Sequence, residues 1–353
     1  MDGGFLRHAK KPANMQQAKK SRIFRPSIVV AICFLLSGMC GLIYQIIWTR
    51  SLSLIFGHTT FAISTVITVF MGGLALGSFL LGRLADSRGN FISSLERFGS
   101  SPALFLYGSL ELIIGFYCLL TPFLFKVVES LYLPHSSLPF FHLSMLRCIL
   151  CIFVLIIPTF CMGGTLPLLS KFLITRESEL ARKLGFLYFI NTLGAVCGTL
   201  LSGFFLIRSC GASATLQAAA VINIGIGLFI YFFNRGLKTD TQEYADREED
   251  TAQQKDEKNG SSLLSPQHEI ILLTIFAFTG FASMIYELAW TRALALALGS
   301  STYSFSTMLA TFLFGIAIGS VLFGILSSKM NFGFSTFGWI EVGVGVTSIL
   351  CIM

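Results

Sequence analysis

Nine apolar runs divide the chain, at about residues 28–49, 60–82, 104–126, 142–170, 184–207, 212–233, 268–291, 302–326 and 335–353. Each is close to the roughly 20 apolar residues a helix needs to cross a bilayer, and hardly a charge falls inside them. The breaks between runs are short and polar, with one exception. Residues 234–267 carry DREEDTAQQKDEKNGSS, which is too polar to bury and reads as a flexible linker. The pattern predicts an all-α, polytopic transmembrane bundle. Residues 1–27 form a basic tail, 28–233 a first unit of six helices, 234–267 the linker, and 268–353 three further helices.

The runs are not independent of one another. Residues 41–82 and 283–324 match without a gap at 18 of 42 positions, at an offset of 242. Apolar bias alone matches Leu with Leu, but it does not readily match Tyr44 with Tyr286, Trp48 with Trp290, Thr49 with Thr291, Arg50 with Arg292, Gly57 with Gly299 and Gly77 with Gly319. A third matching stretch, YGSLELIIG at 107–115 against FGWIEVGVG at 337–345, extends the repeat through a third helix. Six runs separate the copies, so both cross the membrane in the same direction. Two parallel six-helix units joined by a linker resemble the plan of the major facilitator transporters. On that plan the second copy is truncated, and three more helices are expected after Met353.

Composition and charge sharpen the membrane assignment. Hydrophobic residues make up 54% of the chain and charged residues 12%, about half the charged share of a soluble domain. The net charge of +7 does not point to nucleic acid, because seven basic residues (Arg7, Lys10, Lys11, Lys19, Lys20, Arg22, Arg25) sit together before the first run. With the N-terminus placed inside, Lys and Arg divide 20 to 5 in favour of the inside, which predicts a cytoplasmic N-terminus in a cell (inner) membrane. The nine cysteines lie scattered through apolar runs; Cys148 and Cys151 form a single CxxC, but it falls inside an apolar run with no second pair and no His/Cys spacing, so neither a disulfide framework nor a metal site is expected. No cofactor is implied.

Candidate chemistry rests on polar groups at membrane depth, which are expensive and default to a functional role. Glu111 and its repeat mate Glu341, and Glu287 with its mate Gln45, are the candidates for substrate or proton work. Their alternative role is to lock helices together by hydrogen bonding. Tyr44 and Tyr286 accompany them. Arg50 and Arg292 close two WTR motifs and serve either the pathway or the headgroups. Asn191 and Asn223 are amides suited to interhelical hydrogen bonds, and Asn191 joins the pathway candidates. Gly73/Gly77, Gly315/Gly319 and Gly194/Gly198/Ser202 present small residues for close helix packing. Pro158 and Pro167 bracket CMGGTL, which predicts a broken fourth helix, with Thr159 to Pro167 either a cavity wall or a passive kink. GRLADSRGN at 82–90 resembles the cytoplasmic loop of the major facilitator superfamily, with Gly82, Asp86 and Arg88 as gating candidates; the second copy, GILSSKMN, lacks Asp and Arg.

IYQIIWTR, IYELAWTR, PTFCMGGTLPLL at 158–169 and LGFLYFINTLGAVCGTLLSG at 184–203 together resemble the membrane region of fused major facilitator/spermidine synthase-like proteins, from about residue 30 onward. In many such proteins an aminopropyltransferase-like domain follows the helices. No strand-and-helix region with a glycine-rich turn occurs here, so no catalytic domain is read in these residues. The residues and the resemblance together leave three functions open. One is a transporter-like module for a polyamine or another small cationic solute. The second is a membrane anchor for a downstream transferase domain. The third is a non-transporting scaffold. The lipid bilayer is the one partner that composition requires, and nucleic acid is not expected.

Overall fold

The computed structural model describes residues 13–57, 60–86, 99–174, 179–237, 266–299, 302–327 and 334–352. Among these residues the protein is all helix: α1 (Ala13–Phe56), α2 (Thr60–Asp86), α3 (Pro102–Tyr132), α4 (Phe140–Leu173), α5 (Leu180–Leu200), α6 (Ile207–Gly236), α7 (Pro266–Leu298), α8 (Thr302–Leu326) and α9 (Phe334–Ile352). Every apolar run of the sequence is a helix, and most helices extend beyond the run that announces them. α1 begins well inside the basic tail, with Pro26 within it. Leu180–Gly236 is one helical stretch of 57 residues, about 85 Å at 1.5 Å per residue, far more than one crossing needs. Gly211 divides it: its φ of 80° and ψ of 166° lie outside the helical region, so α5 and α6 are separate passes. We call the side carrying the N-terminal end of α1 the near face, and the opposite side the far face.

Packing follows the small residues. α1 packs chiefly on α5, α2 on α4, α3 on α6, and α5 also on α8. Along the α2–α4 contact, a Cβ at Gly73 would overlap Thr159 and one at Gly77 the Phe160 carbonyl. Along α1–α5, Gly194 and Gly198 rest on the carbonyls of Leu35 and Met39. The packing role expected of these glycines holds in the first six helices. α4, in contrast, does not break. It runs unbroken from Phe140 to Leu173 through both prolines. Thr159 Oγ1 donates to the Leu155 carbonyl (2.6 Å) and Thr165 Oγ1 to that of Met162 (2.7 Å). The carbonyls that the prolines leave without an N–H partner are those of Val154 and Gly163, one helical bond each, and the helix continues across both losses. The segment once expected to line a cavity is therefore the surface on which α2 rests.

The near end of α3 shows how polar residues set a corner. Ser101 caps the helix, its Oγ accepting from the Leu104 N–H at 3.4 Å, and Pro102 follows at the first helical position. The fully buried Asn234 at the end of α6 meets this cap with both amide atoms. Its Oδ1 accepts from the Ser101 N–H (2.9 Å) and its Nδ2 donates to the Ser101 carbonyl (3.0 Å). Asn234→Ala strands a buried donor and acceptor, and we expect a loss of about 1–3 kcal/mol, read as a lowered thermal midpoint in detergent. An unchanged midpoint would show that the corner contributes nothing.

The second copy echoes the first. Gly57 and Gly299, repeat mates at the ends of α1 and α7, adopt φ values of 90° and 87°, a left-handed region that favours glycine. The two helix-to-helix corners are therefore built alike.

Candidate functional site

At the middle of the first six helices, three of them share a polar cluster. The Tyr44 hydroxyl on α1 donates to Asn223 Oδ1 on α6 at 3.2 Å, and Asn223 Nδ2 donates to Glu111 Oε2 on α3 at 2.6 Å. Tyr44 and Glu111 have no exposed surface, and Asn223 almost none. Ser37 and Tyr107 stand against the same carboxyl, but neither is aligned to satisfy its Oε1, which has no hydrogen-bond partner among the described residues. Trp48 stacks on Tyr44 with ring centroids 5.4 Å apart, closing the cluster on its far side. The amide is oriented by its partners: it accepts from a phenol and donates to a carboxyl.

The other candidates are spread more widely. Gln45 and Glu287 are each 1% exposed, and Gln45 Nε2 and Glu287 Oε1 lack partners among the described residues. Asn191 is half-buried, and its carbonyl lies where a Cβ on Gly38 would be, so it serves the α1–α5 contact. Arg50 is exposed and donates to Thr302 Oγ1 of α8 at 3.4 Å. Arg292 is exposed, and Tyr286 and Glu341 are half-buried. Glu341 thus differs from its mate Glu111. The structure brings Tyr44, Glu111 and Asn223 together and leaves the remainder apart from that cluster.

Of the gating candidates, Gly82 and Asp86 belong to α2 rather than to a loop. Gly82 sits over Pro167, and Asp86 pairs with Lys171 at 3.2 Å in an exposed ion pair of small energetic consequence. Arg88 lies outside the described residues.

Arg147 escaped the sequence reading as a site residue. It is 7% exposed, and its guanidinium has no carboxylate partner among the ion pairs of the described residues. Its Nη2 donates to the Phe56 carbonyl (3.1 Å) and to the Tyr132 hydroxyl (2.8 Å), and Nε donates to that hydroxyl at 3.0 Å. Phe56 and Tyr132 are the last residues of α1 and α3, so two helix C-termini converge on one cation. A signal existed: an arginine within a 34-residue apolar helix at membrane depth.

The Major Facilitator Superfamily profile matches residues 28–353, and the chain belongs to that family. It is a multi-pass membrane protein whose helices form a transporter-like module. Neither the curated proteins nor the solved structures hold a significant match to it.

Proposed function

We propose that this module moves a small cationic solute across a cell (inner) membrane, with a polyamine as the candidate substrate and the N-terminus in the cytoplasm. The first six-helix half, 28–233, and the second set of helices, 268–353, rock about the passage between them, and the linker 234–267 lies in the cytoplasm. The observation that carries this reading is Glu287: a carboxyl at membrane depth, 1% exposed, with one oxygen lacking any partner among the described residues. An ammonium group is the natural partner for such an oxygen, because each satisfies the other's buried charge. Glu111 has a different setting. Its second oxygen is engaged by Asn223 within one half, which suits a proton-holding or helix-locking role.

The test is uptake of radiolabelled spermidine into vesicles containing the purified chain. Glu287→Gln should lower uptake about tenfold or more, the factor that ~1.4 kcal/mol of lost binding represents. Glu111→Gln should have the smaller effect. Wild-type uptake left intact by both substitutions would remove the carboxylates from the mechanism.

A second reading, in which the helices anchor a spermidine synthase-like transferase domain, is favoured by the IYQIIWTR and PTFCMGGTLPLL motifs. The intact mass of the natural gene product separates the two. A product longer by a soluble domain supports the tethered enzyme.

A further inference from the structure

One face of α1 carries an unexplained polar stripe. Gln45, Thr49 and Ser53 recur every four residues, so they share a helix face. They are 1%, 5% and 3% exposed, and Gln45 Nε2, Thr49 Oγ1 and Ser53 Oγ have no hydrogen-bond partner among the described residues. Leaving three such groups dry and unpaired costs about 1–3 kcal/mol each, which a packed helix interface without a polar occupant does not recover. Ser306 on α8 is a fourth: fully buried, with Oγ unpartnered.

The helix register places Ser306 and Glu287 at the depth of Gln45, the innermost member of the stripe. Gly194 meets Leu35 and Gly198 meets Met39, a step of four residues on each helix, so α5 runs parallel to α1. Further along, Gly203 leaves no room for a Cβ against the Ser306 side chain. With Arg50 bonded to Thr302, Ser306, four residues on along the antiparallel α8, lies about level with Gln45. Glu287, the repeat mate of Gln45, belongs at the same depth, and its neighbours Met284 and Leu288 pack on the core.

Arg50 and Thr302 stand above this layer. Arg50 is five residues beyond Gln45, about 7.5 Å towards the far face, and Thr302 is four residues before Ser306, about 6 Å the same way. Their 3.4 Å hydrogen bond therefore joins α1 to the first turn of α8 directly over the buried polar groups. Beside it, Phe204 packs on Tyr303 with ring centroids 5.4 Å apart. Phe204 belongs to a π-helical turn, Leu201–Leu206, a geometry frequent at functional sites. The bond is poorly placed to endure: it is exposed, long, and sets a cation at a helix N-terminus, where the helix dipole repels it. The α5–α8 contact, by contrast, persists to the near face, where Gly185 approaches Ser320 and Gly324.

We propose that Gln45 and Thr49, with Ser306 and Glu287, line a passage for a small polar cation that opens past Ser53 on the far side, and that the Arg50–Thr302 contact is the latch that closes it. Rocking about the α5–α8 seam parts Arg50 from Thr302 first and exposes the stripe. The proposal rests on the transporter reading for its substrate but not for its test.

The test is labelling of Thr49→Cys and Ser306→Cys, in membranes holding the full chain, by a small cationic methanethiosulfonate applied from the far face. The parent chain with its native cysteines supplies the background. With Arg50 intact both positions should label slowly. Adding Arg50→Ala, or separately Thr302→Val, should speed labelling about fivefold, the shift expected from loss of one weak hydrogen bond. Absence of labelling at both positions in every background overturns the passage. Acceleration by Arg50→Ala without acceleration by Thr302→Val overturns the latch, because the contact would then not be what holds the end closed. Labelling as expected in a chain that takes up no spermidine upholds the passage and sinks only the polyamine reading.

Discussion

Gly77→Leu should prevent the first six helices from assembling, while Gly72→Leu, on the open face of the same helix, should leave the protein intact. A side chain at Gly77 meets the Phe160 carbonyl, and one at Gly73 meets the Thr159 hydroxyl. Both obstacles belong to α4, whose backbone is held by its own helical hydrogen bonds and cannot retreat locally. Overpacking a tight contact costs about 1–3 kcal/mol when neighbours can shift, and more when backbone is the obstacle. The whole α2–α4 contact would have to separate. At Gly72 nothing lies within 4 Å of an added Cβ. The helix thus supplies its own control, since Gly72 and Gly77 share α2 and only the packing differs. The measurement is the yield of monodisperse protein in detergent and its thermal midpoint. Equal damage from Gly77→Leu and Gly72→Leu would show that the glycines act through insertion or helix propensity rather than through contact.

The periodicity of the chain made every helix legible, because a bilayer span must be long, apolar and hydrogen-bonded within itself. Helix ends were less legible. α1 and α2 continue past their apolar runs into polar sequence, where nothing in hydropathy marks a stop, so Gly82 and Asp86 fell in an expected loop that is helix. The proline-flanked segment of α4 misled for a related reason. Proline removes one hydrogen bond, but the close contact of α2 with Thr159 and Phe160 holds α4 continuous past that loss, and such a contact is not revealed by composition. The cluster of Tyr44, Glu111 and Asn223 was half legible. Each residue stood out as polar at membrane depth, yet Asn223 was assigned only a generic bridging role, because pairing α3 with α6 requires the fold. The stripe of Gln45, Thr49 and Ser53 was spelled out at helical spacing, but its meaning depends on burial without partners.

Arg147→Met should destabilise the far end of the first half by about 2–4 kcal/mol, whereas Arg147→Lys should recover only part of the loss. Methionine fills similar volume, so the comparison removes charge and hydrogen bonds without opening a large cavity. What remains are the Phe56 carbonyl and the Tyr132 hydroxyl, which both lose the guanidinium and keep only the long 3.4 Å bond that the hydroxyl donates to the carbonyl. The T-shaped contact between Phe56 and Tyr132, at 4.8 Å, persists but no longer has the cation that draws both helix ends together. Lysine restores the positive charge against the two helix C-termini. Its single ammonium does not reproduce the planar fork that reaches the carbonyl and the hydroxyl together. The far-face turn at Gly57 follows directly on Phe56, so loosening this anchor also frees the corner leading into α2. Hydrogen exchange in detergent or nanodisc should therefore quicken at the last turns of α1 and α3 in Arg147→Met and leave the Asn234 corner on the near face unchanged. Uniform quickening across both faces would mean that the first half loses its packing as one unit, and that Arg147 is not a local anchor.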